Sequence, residues 1–190
     1  MNDENEGGGR NIARRTFLQA SGSFVGAAAI GFPAGARARS LTHDEFTALD
    51  AVGLATLIRH GEVSAAEVLE AAIARAEAVN PVINAIVLKH YDRARKAVAG
   101  GAPTGALAGV PWLLKDLGTH LKGTITTGGS AFFRDAVSGY DSTIVERYRR
   151  GGLVIFGKTA TPEFGQTATT ESRLWGLTRN PRNLEHSTGG

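Results

Sequence analysis

The sequence predicts an α/β domain with a helical lead-in, and three observations carry that prediction. Between residues 44 and 99 apolar positions recur at helical spacing. Beyond residue 100 the chain turns glycine-rich, holding 16 of its 25 glycines in the last 91 residues. Two short apolar runs, Val110 to Leu117 and Leu153 to Phe156, flank a helical pattern and give strand, helix and strand in order.

The elements follow from local signals. Asp44 to His60 reads as one helix, with Leu54, Leu57 and Ile58 on a shared face and Gly61 as its stop. Ser64-Ala65-Ala66-Glu67 is a capping box. Val68, Leu69, Ala72, Ile73 and Ala76 then repeat at helical spacing, and Asn80-Pro81 is expected to end that helix. Asn84 to Leu88 is short and apolar, a strand. Tyr91 to Ala99 is helix, stopped by Gly100-Gly101. Thr126 to Ser130 is a glycine turn. Thr143, with Glu146 three residues on, is expected to cap a helix that reaches Arg150. Gly165 to Gly190 is polar, with little periodicity.

Composition narrows the function classes. The 190 residues give room for one domain to one and a half, and 42% hydrophobic with 21% charged residues excludes wholesale disorder. No apolar run reaches eighteen residues, so no membrane span is expected. The absence of cysteine removes disulfides, thiolate metal sites and a cysteine nucleophile. The net charge of +3 resides mostly in residues 1–39, which hold five arginines and three acids. The remaining sequence is nearly neutral, so nothing marks it for nucleic acid.

Residues 1–39 read as an export signal rather than a fold. Adjacent Arg14 and Arg15 precede Phe17-Leu18, a small-residue apolar stretch runs from Ala20 to Phe32, and Ala34-Gly35-Ala36 or Ala36-Arg37-Ala38 offers a cleavage site. The paired arginines resemble a twin-arginine signal. The expected location is therefore periplasmic or secreted, with residues 40–190 as the folded part.

Lys115 is the most informative charge. It lies within Val110-Pro111-Trp112-Leu113-Leu114-Lys115-Asp116-Leu117, and a strand apolar on both faces is expected to be buried. A desolvated lysine loses preference for its charged form, and a neutral lysine is a general base, whereas the other reading, favoured by composition alone, is a strand-end lysine that snorkels out to water. A second lysine-bearing stretch offers a competing pattern. Gly152 to Thr159 matches the spacing of a phosphate-binding loop, but its interior is Leu-Val-Ile-Phe, which forms a strand rather than a cradle. Lys158 is accordingly expected to carry no chemistry. The five histidines show no metal-ligand spacing, and no cofactor is expected.

Gly109 to Asp116 resembles the lysine-bearing segment of the amidase signature family. Later features keep the family's order: Thr127-Gly128-Gly129-Ser130, Tyr140-Asp141-Ser142-Thr143 to Arg147, Gly157-Lys158-Thr159 with Pro162-Glu163-Phe164-Gly165, Gly176-x-Thr178-x-Asn180-Pro181, and Gly189-Gly190. The resemblance spans residues 42–190 and implies a mixed β-sheet flanked by helices. It also implies hydrolysis of a small-molecule carboxamide by a Ser–cis-Ser–Lys triad, with Lys115 as the base. Gly128, Gly129 and Ser130 become candidates for supporting substrate or oxyanion, although Ser130 also reads simply as a turn residue. In the family the relay serine follows the double glycine, so both serines are expected beyond Gly190. Arg182-Asn183 and Ser187-Thr188 depart from the family pattern. The alternative implied by the missing serines is an inactive truncated paralogue or a binding module.

Overall fold

The structure is a computed structural model that describes residues 41–190. The proposed export signal lies outside the described residues. Five α-helices appear among them: α1 (His43–Ala48), α2 (Ala51–Arg59), α3 (Ala65–Ile83), α4 (Tyr91–Val98) and α5 (Thr143–Arg150). A three-stranded mixed sheet is built from β1 (Ile86–Lys89), β2 (Pro111–Lys115) and β3 (Val154–Thr159) in the order β1-β3-β2. β1 runs antiparallel to β3, and β2 runs parallel to it.

β3 is apolar on both faces because both faces are covered. Val154 and Phe156 pack with Leu69, Ala72, Ile73 and Ala76 of α3 and with Ala94 and Val98 of α4. Ile155 points to the opposite side, against Leu121, Leu114 and Val145 of α5. Burial of each large apolar side chain contributes about 1.5–3 kcal/mol, so this strand is the centre of the core. Gly157 sits mid-strand because a Cβ there would lie 2.7 Å from the Leu88 carbonyl oxygen of β1.

Several boundaries differ from expectation, each for a local reason. The helix expected over Asp44 to His60 is two. Leu49 is extended, and Asp50 caps α2 by accepting from the Gly53 amide at 2.8 Å. The Asp side chain thus offers the backbone an alternative to continuing the first helix. The Ser64 capping box forms as expected, with Ser64 Oγ accepting from the Glu67 amide. α3 runs through Pro81 and stops at Asn84, whose φ of 51° is left-handed. Proline removes a single donor from the last turn there, and Asn84 supplies the terminus. Its side-chain amide donates to the carbonyls of Trp175 and Leu177, 2.7 and 3.2 Å away.

Thr143 is the first residue of α5 rather than its cap. Ser142 takes the cap position and makes no side-chain capping bond. The polar segment after Gly165 is ordered into two small antiparallel pairs: β4 (Glu171–Ser172) with β5 (Gly176–Leu177), and β6 (Arg179–Asn180) with β7 (Asn183–Ser187). Strands this short show no periodicity.

These caps give a paired prediction. Ser64→Ala should cost about 1 kcal/mol of unfolding free energy by denaturant titration, because the Glu67 amide loses its acceptor. Thr143→Ala should change stability by less than about 0.5 kcal/mol, since that exposed side chain makes no capping bond.

Candidate active site

β2 ends at Lys115, and the ladder to β3 pairs Leu114 with Lys158 and Lys115 with Thr159. The next residue extends it, the Asp116 amide donating to the Thr159 carbonyl at 2.9 Å. Alternation then sends neighbouring side chains to opposite sides. Asp116 is fully buried, whereas Lys115 is exposed. The expectation that this strand desolvates Lys115 is therefore corrected. β2 is the edge of the three-stranded sheet, and Lys115 is its last residue. Among the described residues the buried lysine is Lys158, with no exposed surface at all.

Lys158 lies inside β3, not in a loop, so the phosphate-cradle pattern is a strand here. Its Nζ donates to Thr126 Oγ1. Burial holds the ammonium down to a pKa of about 8, partly opposed by the nearby Asp116 carboxylate, which favours the charge. His90 is pushed below its ordinary value, chiefly by burial and then by repulsion from Lys158.

Asp116 grips the glycine turn from the other strand. One carboxylate oxygen accepts from the Thr127 amide at 2.9 Å, and the other accepts from Thr127 Oγ1. Thr127 Oγ1 in turn accepts from the Gly129 amide at 3.0 Å and from the Trp175 indole at 3.1 Å. The hairpin that carries Trp175 leads to the double glycine. Thr170 donates through its amide to Ser187 Oγ and through its hydroxyl to the Gly189 carbonyl. The end of β2, the glycine turn and the terminal segment therefore converge through Asp116 and Thr127.

The turn residues themselves fall into place. Gly128 and Gly129 have φ of +61° and +72°, and a Cβ on Gly129 would meet the Thr161 carbonyl oxygen at 2.7 Å. The Gly129 amide is bonded to Thr127 Oγ1 and the Ser130 amide to the Thr127 carbonyl. Those two N–H groups are thus engaged within the turn rather than aimed at an oxyanion. Ser130 is buried and its hydroxyl accepts from the Phe132 amide, which makes it a cap for the short helical turn Ala131–Phe133. Beside the turn lies an open cavity of about 430 Å³, lined by His120, Thr126, Gly128, Phe133, Tyr140 and Phe164.

Sequence reasoning missed Asp116, Thr127 and Lys158. The signal for Lys158 was present, since it continues an apolar run from Leu153 to Gly157. A lysine at that position has apolar strand residues before it and is enclosed where Lys115 is exposed. Nothing in the sequence pairs Asp116 with Thr127, eleven positions apart.

Known proteins share this sequence and this fold. A family model for Amidase matches residues 67–190. The chain is 46% identical over 145 residues to a 6-aminohexanoate-cyclic-dimer hydrolase of Paenarthrobacter ureafaciens, covering 74% of this chain and 29% of that protein. It is 38% identical over 141 residues to a lipoamidase of Enterococcus faecalis, covering 74% of this chain and 19% of that one. A solved structure of a 6-aminohexanoate cyclic dimer hydrolase complexed with substrate superimposes with a TM-score of 0.71 at 44% identity, over 75% of this chain and 30% of its own. The chain belongs to the amidase signature family, and it spans less than a third of the length of these relatives.

The buried lysine makes stability depend on pH in a defined direction. Lys158 releases its proton near pH 8 when folded, while the unfolded chain holds its proton until about 10.5. Between those values the unfolded state binds more protons, so stability rises with pH. Unfolding free energy should increase by about 2 kcal/mol from pH 8 to 10 relative to Lys158→Met, measured by urea titration at each pH. Equal slopes for the two proteins would contradict the burial of a chargeable amine.

Proposed function

We propose that this chain supplies the lysine portion of an amide-hydrolysing Ser–cis-Ser–Lys site, with Lys115 as the base. The observation that carries the reading is the bonding of Asp116 to Thr127, which joins the β2 end bearing Lys115 to the glycine turn. Membership of the family and its position in the Gly109 to Asp116 segment support giving Lys115, rather than Lys158, the catalytic role. Lys158 is sealed under Thr126, with no exposed surface through which to meet a substrate.

In this reading a neutral Lys115 takes a proton from a relay serine, which takes one from a second serine. That second oxygen bonds to the amide carbonyl carbon, and the carbonyl oxygen becomes an oxyanion. Backbone N–H groups hold the oxyanion, the amine leaves with the relayed proton, and water then releases the carboxylate. Both serines belong to sequence following the double glycine. A base must start without a proton, so the exposed Lys115 needs cover. That cover is assigned to the rest of the enzyme, since the relatives are more than three times as long as the matched stretch. The paired arginines and the Ala-rich stretch of the leader support export as a folded protein.

The test is a chimera in which this chain is joined at Gly190 to the remaining sequence of the Paenarthrobacter hydrolase. Hydrolysis of 6-aminohexanoate cyclic dimer should appear, and Lys115→Ala should lower kcat/KM by about 1,000-fold or more while leaving the circular dichroism unchanged. Near-parental turnover by that variant would remove the assignment.

A further inference from the structure

Adjacent residues of the glycine turn are held by opposite charges from adjacent strands. Thr126 is held by the Lys158 ammonium of β3, and Thr127 by the Asp116 carboxylate just past β2. Both charged groups are fully buried. A buried carboxylate or ammonium without compensation costs several kcal/mol, so neither is tolerated without partners. Their partners are the turn itself.

The grip extends in two directions. A lysine ammonium only donates, so Thr126 Oγ1 accepts from it, and the same hydroxyl shares a 3.0 Å hydrogen bond with Ser138 Oγ. Ser138 Oγ in turn lies 3.0 Å from His120 Nδ1 on the cavity wall. On the other side Thr127 Oγ1 binds the Gly129 amide and the Trp175 indole. Loss of the Lys158 charge alters the Thr126 end directly and leaves Asp116 holding Thr127 without its countercharge.

We propose that Lys158 is a positioning residue: its buried charge, bonded to Thr126, fixes the Thr126 to Ser130 turn against the end of β2. What the turn serves rests on the amide-hydrolase reading, but the coupling itself does not. The charged and titratable groups facing Lys158 are Asp116 and, less closely, His90 with Arg93 beyond it and His120 at the end of the hydroxyl chain.

The Trp175 indole reports on the turn through its bond to Thr127. In the full 190-residue chain, its indole N–H resonance should shift across pH 6 to 10 with a midpoint near 8, where burial sets the Lys158 proton. The Trp112 indole packs against Tyr148 in a separate cluster and serves as the internal control. Lys158→Met should abolish the shift while leaving the rest of the spectrum dispersed, and Asp116→Asn should move its midpoint lower. A Trp175 indole that stays fixed in the unmodified chain would overturn the proposal without any variant having to fold. So would a titration that survives in Lys158→Met, which would point to His90 or His120. The amide reading fails on the chimera's turnover and this one on the indole, so the two fail separately.

Discussion

The structure turns on a carboxylate and an ammonium taken out of water on neighbouring strands. Asp116 and Lys158 lie at the meeting point of the parallel ladder and the glycine turn, and both are wholly buried. Burying two ions is expensive, and their mutual attraction offsets that cost only when hydrogen bonds complete each coordination. Asp116 has three such partners nearby: the Thr127 amide and hydroxyl by direct bonds and the Lys158 charge at longer range. The turn, the end of β2 and the Trp175 hairpin are therefore placed by one polar cluster, while helices α3, α4 and α5 and β3 supply the apolar mass around it.

This arrangement sets two lysines in opposite environments of one fold. Lys158 is deep in β3, with its pKa held down by burial, and it is occupied with Thr126. Lys115 ends an edge strand and is exposed. A low pKa alone would nominate Lys158 as the base. The proposed assignment to Lys115 rests on access instead, because a proton acceptor has to come within hydrogen-bond distance of the group it deprotonates. Lys115 has an open approach, and its neighbour Asp116 anchors the strand end from which it projects.

Much of the fold was legible because local chemistry and tertiary demand agree. Ser64 and Glu67 cap α3, Gly61 has the left-handed φ of a helix stop, and the Leu153 to Phe156 run becomes the two-sided core strand. The misreadings occur where one side chain overrides a pattern. Asp50 divides the first helix, Asn84 rather than Pro81 ends α3, and Ser142 displaces Thr143 from the cap position. The two-residue strands β4, β5 and β6 are too short to leave a period in the sequence.

The family and the order of its motifs are legible in the chain read end to end. These depend on residue identities at short range, which the chain states outright. Folding alone settled which lysine is buried, because the alternation that turns Asp116 inward and Lys115 outward is fixed by pairing with β3. It also decided that Asp116, Thr127 and Trp175 form one cluster, since contacts between residues 116, 127 and 175 arise from chain return and not from any local preference.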